Sequence, residues 1–289
     1  MSSCRQTRAH QRPSGDRHRL LSPRCSSFCA SFIVIAAFPF YAAGPGAALP
    51  RGGLAGISAP KAAAHWPALV GEALAYARPR TSVPLEAPEV WPEAGAVPNS
   101  AKVRAIPGEY SVTLYHCPSP LGVNHPGIGV GTCGDMASYY GYFGGQAYVS
   151  PSAARASLSL GTPTCPHKAL VKLAAGQVAT VYSGPSPQGD CEATWQEGHW
   201  SFVLSGDLSG GTQGNATVPW RQVASEVVSY LRGRSLSGAY GHLSSDIAAD
   251  GLHTVARWQV GRYVYTANTY HGAIPALALV MSMSPYPRP

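Results

Sequence analysis

The sequence predicts an α+β fold in which antiparallel hairpins are each followed by a helix, with disulfide bonds that stabilise it. The main indication is a repeated phrase: residues 195–202 are Trp-Gln-Glu-Gly-His-Trp-Ser-Phe, and residues 258–265 are Trp-Gln-Val-Gly-Arg-Tyr-Val-Tyr. The glycine in each copy supplies the positive φ that a tight hairpin turn needs. A helical pattern follows each copy, which predicts a repeated β-turn-β-α unit.

The first 48 residues have the layout of a secretory leader. Arginines are frequent up to Arg24, and an apolar run that ends in small residues extends from Phe28 to Ala48. Gly46-Ala47-Ala48 is a candidate cleavage site, and an uncleaved membrane anchor is the alternative. In both cases the basic flank stays in the cytoplasm, so we expect the rest of the chain to be extracytoplasmic, either secreted or anchored at the outer face of the membrane.

The net charge of +7 comes mostly from this leader. Beyond residue 48, 15 lysines and arginines stand against 13 acidic residues. A nearly neutral body is not expected to bind nucleic acid. Contact with a membrane is expected only through an uncleaved leader.

Four cysteines follow the leader: Cys117, Cys133, Cys165 and Cys191. An even number of cysteines in an exported chain predicts two disulfides, for which three pairings are possible. We favour Cys117–Cys133, which would close a Gly/Pro-rich loop, together with Cys165–Cys191. The second pair would join the starts of the first and third strands of a meander.

The chain divides into three parts by composition. Residues 1–48 are the leader, and residues 49–108 form an Ala/Pro-rich linker with one possible short helix at 62–78. The prolines between residues 79 and 107 predict an extended linker or a strap across the domain. Residues 109–289 are long enough to form a single α+β domain with a real core.

Alternating apolar residues and glycine turns predict the strands of this domain at residues 109–116, 139–150, 170–174, 177–182, 191–196, 199–205 and 254–268. Helices are predicted at 150–160, 219–232 and 273–283. The first begins with Ser150 as N-cap and Pro151 at its first helical position. The second has a clear apolar face at Trp220, Val223, Ala224, Val227, Val228 and Leu231.

The aromatic residues of the repeated phrase have two interpretations. Trp200, Phe202, Tyr263 and Tyr265 occupy alternate strand positions, so each pair lies on one face. We expect these faces to form the core under the helices, because the intervening residues are mainly polar. An exposed row would instead stack against sugar rings or peptides. We also identify Trp195 and Trp258, which precede the turns of the two copies at equivalent positions, as candidate ligand-contacting aromatics.

Two motifs suggest sites that we do not expect. Residues 129–134 match G-x-G-x-x-G, but no strand precedes them and no acidic residue follows at the distance that a dinucleotide site requires. His116, Cys117, His125 and Cys133 match no common zinc spacing, and thiols in an oxidising compartment should pair. We therefore expect no metal and no cofactor.

Catalytic motifs are also lacking, since neither H-E-x-x-H nor G-x-S-x-G occurs. We assign no catalytic residue and lean towards a protein that is not an enzyme. For a hydrolase, the best candidates would be Asp190 and Glu192, two apart on a predicted strand, and the histidines near the loop from Cys117 to Cys133.

Three segments together resemble an extracytoplasmic domain of unknown function found in bacterial anti-sigma factors and sporulation lipoproteins. The proline-rich residues 83–94 are similar to its "P-x-x-L-P-x-G" entry, residues 195–200 to its "W-x-x-G-x-x-Y" hairpin, and residues 223–231 to the helix that follows. The four cysteines and the lack of a long cytoplasmic region depart from that family. The resemblance implies a non-catalytic binding or sensing domain and names no ligand.

The leading hypothesis is therefore an exported, non-catalytic binding or sensor domain of the bacterial cell envelope. Its partner is an unknown envelope ligand, which could be a peptide, a glycan or a protein. The alternatives are a secreted hydrolase acting on cell-wall or carbohydrate polymer, and a structural envelope protein.

Overall fold

The computed structural model describes residues 67–90, 97–135, 138–160, 163, 165–184, 190–206, 208, 219–236, 238–248 and 251–286. These residues belong to one compact unit, Pro60–Pro289. The leader, its cleavage site and the first part of the linker lie outside the described residues.

The largest element of the fold is one mixed, mainly antiparallel sheet of 11 strands, in the order β4-β2-β3-β5-β12-β11-β10-β9-β8-β7-β6. Strands β2 to β5 are Ser100–Ile106, Glu109–Tyr115, Gly122–Val123 and Tyr139–Ala147, and β6 to β9 are His167–Lys172, Val178–Ser183, Asp190–Glu197 and Trp200–Gly206. Strands β10 to β12 are Tyr240–Ala248, Gly251–Val260 and Tyr263–Thr269. A separate pair is formed by β1, Leu85–Pro88, and β13, Met283–Tyr286.

Four helices accompany the sheet: α1 (Ala68–Ala77), α2 (Pro151–Ala156), α3 (Trp220–Leu231) and α4 (Ala273–Ser282). Apolar residues of α1, α3, α4 and β1 join one core cluster with the sheet residues Phe202, Leu243 and Trp258. By contrast, α2 packs through Ala154 and Leu158 against Val264, which points to the other side of the sheet. We call the two sides the helical face and the open face.

The fold class is confirmed as α+β, with a dominant sheet and few helices. Both copies of the repeated phrase form hairpins, β8–β9 and β11–β12, with Gly198 and Gly261 at positive φ in their turns. The predicted repeat of hairpin-plus-helix units is not supported. After β9 the chain passes through α3 into β10, which runs parallel to β9, whereas β12 is followed by α4 and the short β13. The helix α2, which follows β5, lies on the opposite face of the sheet.

Two strands lie in the region that composition describes as a linker. The strand β1 crosses the helical face and pairs with β13, from Leu85↔Tyr286 to Pro88↔Met283, in the manner of a strap. The strand β2 pairs with β3 along its whole length, from Ser100↔Tyr115 to Ile106↔Glu109. The compositional boundary at residue 108 thus falls within a hairpin.

Several local predictions agree with the structure. The Ser150 hydroxyl accepts the Ala153 N–H at 3.1 Å and caps α2. All six apolar residues that define the face of α3 are buried. The four cysteines form the favoured pairs, Cys117–Cys133 and Cys165–Cys191, and two disulfides indicate an oxidising environment.

Candidate functional site: a groove on the open face

The repeated Trp-Gln pair divides its side chains between the two faces of the sheet, because successive strand residues point in opposite directions. Trp195 and Trp258 point into the core, where 4% and 0% of their surface is exposed. Trp195 stacks on Phe202 at 5.2 Å between ring centroids, and Trp258 on Tyr265 at 5.9 Å. Both indoles are therefore almost wholly buried, and Trp195 also contributes to the lining of the groove described below.

Gln259, the glutamine of the second copy, helps to position α2 on the open face. Its Nε2 donates to the Pro151 carbonyl at 2.8 Å, at the start of the helix. Beyond the end of α2, Arg257 Nη1 donates to the Ser157 carbonyl at 2.9 Å. Two neighbouring side chains of β11 thus hold both ends of this short helix against the sheet.

The segment that α2 begins, residues 150–160, forms one wall of a groove whose floor is β7 to β10. The groove has three parts with volumes of about 560, 390 and 260 Å³. Ser159, Leu160, Gln196 and Ser201 each line two of the parts, so the three parts lie side by side. Gln196 belongs to the first copy of the repeated phrase, and its carbonyl accepts a hydrogen bond from the Gln177 side chain.

The groove has a mixed lining, in which apolar side chains such as Leu158, Leu160 and Val203 stand beside polar ones. Nine of its lining residues are serine, threonine or glutamine: Ser152, Ser159, Gln177, Thr180, Thr194, Gln196, Ser201, Ser205 and Ser244. Such groups can both donate and accept hydrogen bonds without carrying charge. This lining suits a polar ligand whose own donors and acceptors recur along its length.

Ionisable groups occupy the two ends of the groove. At one end, the Arg155 guanidinium lies over the Tyr240 ring at 3.7 Å, and the His199 ring meets the same tyrosine at 5.4 Å. Glu192 lines the other end, where burial raises the pKa of its carboxyl. The groove is therefore cationic at one end and acidic at the other.

His242 also lines the Glu192 end, on β10. Burial, assisted by the positive charge of Arg257, lowers the pKa of His242 to about 4. Its Nε2 is buried and has no hydrogen-bond partner among the described residues. His242 and Glu192 share this part of the groove without forming an ion pair or a hydrogen bond.

The candidate hydrolase residues are not brought together. Glu192 lines the groove, whereas the side chain of Asp190 lies outside the described part of the chain. His116 and His125 lie at the β3–β4 end of the sheet, many strands from Glu192. There His116 Nδ1 contacts the Val97 carbonyl at 3.0 Å, and His125 Nδ1 accepts the Gly127 N–H at 3.1 Å.

Cys117 and Cys133, which the sequence places near His116 and His125, form a disulfide and so provide no thiolate for a metal ion. Within the ranges that the structure describes, no group of three or more histidine, cysteine or acidic side chains could hold a metal ion. Over those same ranges, no helix has both the length and the apolar character needed to cross a membrane.

Sequence reasoning missed Arg155, Tyr240 and His242 as site residues. Arg155 lies in a short helix with no recognisable motif, and Tyr240 begins a strand that the sequence does not reveal. Their contact joins positions 85 residues apart, and only the packing of α2 on the open face creates it.

Comparison of the chain with protein-family models, with curated proteins and with solved structures finds no match.

Proposed function

We propose that this chain is an exported binding or sensor domain of the bacterial cell envelope, and that its ligand lies in the groove on the open face. The observation that carries the proposal is the groove between residues 150–160 and β7–β10, whose lining includes nine serine, threonine and glutamine residues. The layout of the leader and the two disulfides support export.

The shape of the groove supports an extended ligand. It follows the direction of β9, from Ser201 in the largest part to Ser205 in the smallest. Four residues of strand correspond to about 13 Å. A ligand of this length presents polar groups at regular intervals, and the hydroxyls and amides of the groove can pair with them. A peptide segment or a short run of sugars meets this description.

A secreted hydrolase is less well supported by the geometry. Hydrolysis by paired carboxylates needs two such groups on either side of the scissile bond, and a histidine base needs a substrate proton or a nucleophile within hydrogen-bonding reach. Among the described side chains, only Glu192 supplies a carboxylate to the groove, and His242 does not contact it. The arrangement offers contacts for binding and no assembled pair for catalysis.

The proposal is tested by screening the purified full chain against peptide and glycan arrays, alongside a generic hydrolase panel. Gln196→Trp should fill the groove and abolish binding of any hit. Gln222→Trp is the matched control, because Gln222 is exposed on α3 at the helical face. Loss of binding in both variants, or turnover in the hydrolase panel, would overturn the proposal.

Export is tested separately. A fusion of the full chain to a reporter enzyme that folds only outside the cytoplasm should be active in a bacterial host. Deletion of residues 1–48 should abolish that activity. A fusion that stays inactive while the protein accumulates in the cytoplasm would contradict the assignment to the envelope.

A further inference from the structure

Arg155 differs from Arg80 and Arg234, two other arginines that stack on tyrosine in this structure. Arg80 lies over Tyr76 and Arg234 over Tyr230, and each donates a hydrogen bond to the carbonyl of that same tyrosine. Those two pairs are local contacts at the ends of helices. The guanidinium of Arg155 contacts a distant strand instead, and it makes no hydrogen bond or ion pair with any described residue. Its fork of N–H donors is therefore unused.

The unused donors lie at the largest part of the groove. Neither aspartate nor glutamate occurs among the described residues that line this part. His199 is the second basic side chain there, and Arg257 is already committed to the Ser157 carbonyl. Among the described residues of this part, an incoming anion would meet one guanidinium without a hydrogen-bond or ion-pair partner and no opposing carboxylate.

The Tyr240 ring lies under the Arg155 guanidinium, at 3.7 Å from its central carbon. A stacked guanidinium loses less side-chain entropy when it binds, and its planar fork matches the two oxygens of a carboxylate. A single positive charge suits a carboxylate, which carries one negative charge, better than a phosphate, which carries nearly two. The local chemistry therefore selects a carboxylate.

We infer that the Arg155 end of the groove binds the C-terminal carboxylate of an extended peptide, whose last residues lie along β9 towards Glu192. This inference rests on the proposed function and names the ligand class for the same groove. Main-chain N–H and C=O groups of the peptide would pair with the hydroxyls and amides of the floor. Four extended residues span the distance from Ser201 to Ser205, so the site takes the terminal tetrapeptide.

The inference is tested with two peptides, acetyl-tetra-alanine with a free carboxylate and the same peptide as its C-terminal amide. Each is titrated into the ¹⁵N-labelled full chain, and amide shifts at Gln196, Ser201 and Tyr240 are followed by NMR. The free acid should bind at least tenfold more tightly than the amide. Arg155→Gln should reduce the affinity for the acid to that of the amide.

The control variant is Arg262→Gln, because Arg262 also lies beside a tyrosine, at 5.3 Å from the Tyr263 ring, and does not line the groove. It should preserve the preference for the acid. Urea denaturation of Arg155→Gln and of Arg262→Gln separates lost recognition from any loss of stability in Arg155→Gln.

Other outcomes would overturn the inference. If acid and amide bind equally well, the carboxylate is not recognised, although the groove remains a peptide site. Stronger shifts with inorganic phosphate or with glucuronic acid than with the peptide acid would assign a different anion. If none of these probes causes saturable shifts, and the peptide and glycan arrays give no hit, the proposed function is contradicted as well.

Discussion

The hydroxyl of Tyr110 forms two hydrogen bonds with the backbone of Glu86. It accepts the Glu86 N–H at 2.8 Å and donates to the Glu86 carbonyl at 3.0 Å. The Tyr265 hydroxyl donates to the neighbouring Pro84 carbonyl at 3.0 Å. Two buried tyrosines of the sheet thus satisfy three backbone groups of the strap that contains β1. The strap is held by the sheet beneath it as well as by its partner β13.

Tyr110→Phe should destabilise the protein by removing both bonds to Glu86. The substitution preserves the buried ring but leaves a partly buried backbone donor and an acceptor without partners, which costs about 2 kcal/mol. Urea denaturation measures the loss. Tyr148→Phe is the control, since that hydroxyl contacts only the Gln146 side chain near the surface, and it should cost less than about 0.5 kcal/mol. Equal losses in the two variants would show that the hydroxyl of Tyr110 contributes nothing specific.

The carboxyl of Glu86 should make stability fall as pH rises. Burial raises its pKa from 4.5 to about 7, against a smaller lowering by the Trp258 indole N–H. That N–H is outside hydrogen-bonding geometry, so the desolvation of Glu86 dominates. Between pH 4.5 and 7 the folded state retains a proton that the unfolded state has lost, so the free energy of unfolding decreases with pH.

The expected contribution of Glu86 over this interval is about 2 kcal/mol, because partial exposure reduces the full value of about 1.4 kcal/mol for each pH unit. Glu86→Gln should abolish it. The measurement is urea denaturation at several pH values, expressed as the difference between the wild type and the variant. A difference that does not change between pH 4.5 and 7 would contradict the raised pKa.

The titration of His242 should make stability rise with pH, which is opposite to the effect of Glu86, over an overlapping pH interval. Its pKa falls from 6.5 to about 4 on folding, mainly through burial. Between these values the unfolded state binds the extra proton, so stability increases as pH rises from 4 to 6.5. The wild type should therefore show a nearly flat profile between pH 4.5 and 6.5. In His242→Gln the free energy of unfolding should fall as pH rises, because only Glu86 contributes. In Glu86→Gln it should rise, because only His242 contributes. Equal slopes in the two variants would contradict the opposite pKa shifts of these two residues.

Local sequence signals predicted the elements that depend on few neighbours. Gly198 and Gly261 mark their turns in any context, and the face of α3 follows from helical periodicity alone. The strand β10 gave no such signal, because alternation at Leu243 and Ile247 is interrupted by Ser245. That serine is fully buried, and its hydroxyl pairs with the Thr254 hydroxyl at 2.8 Å. A polar residue satisfied by a partner on another strand is not recognisable before the pairing is known.

The candidate site was less predictable than the fold. The sequence drew attention to Trp195 and Trp258, whose side chains are almost wholly buried, and to Glu192; of these three, Trp195 and Glu192 line the groove. The groove itself depends on which face α2 covers. That choice is decided by the hydrogen bonds of Arg257 and Gln259 with residues about 100 positions away, and periodicity carries no information about them.

The disulfide Cys165–Cys191 should stabilise the β6–β8 end of the sheet. It closes a loop of 26 residues, and a cross-link of that length contributes about 3 kcal/mol by limiting the unfolded chain. Replacing both cysteines with alanine should lower the free energy of unfolding by this amount in the absence of reductant. The variant with Cys117 and Cys133 replaced should show a similar loss, since its loop of 16 residues is only moderately shorter. An unchanged free energy of unfolding after replacement of Cys165 and Cys191 would mean that this disulfide does not contribute to stability.

Gly241 is a position where a single methyl group should be strongly destabilising, because a Cβ there would overlap the Trp200 indole. Trp200 is buried beside Phe202, at 6.5 Å between ring centroids, and cannot move aside. Gly241→Ala should therefore cost about 3 kcal/mol by overpacking.

Gly71→Ala is the control for Gly241→Ala. Gly71 lies within α1, where a Cβ would meet no atom within 4 Å, so alanine should stabilise the helix by up to about 1 kcal/mol. In the double variant Gly241→Ala/Trp200→Leu, the smaller side chain frees space for the new methyl group. Its total loss should be smaller than the sum of the two single losses, since the residues are in contact. Strict additivity would show that the indole of Trp200 is not what excludes a side chain at position 241.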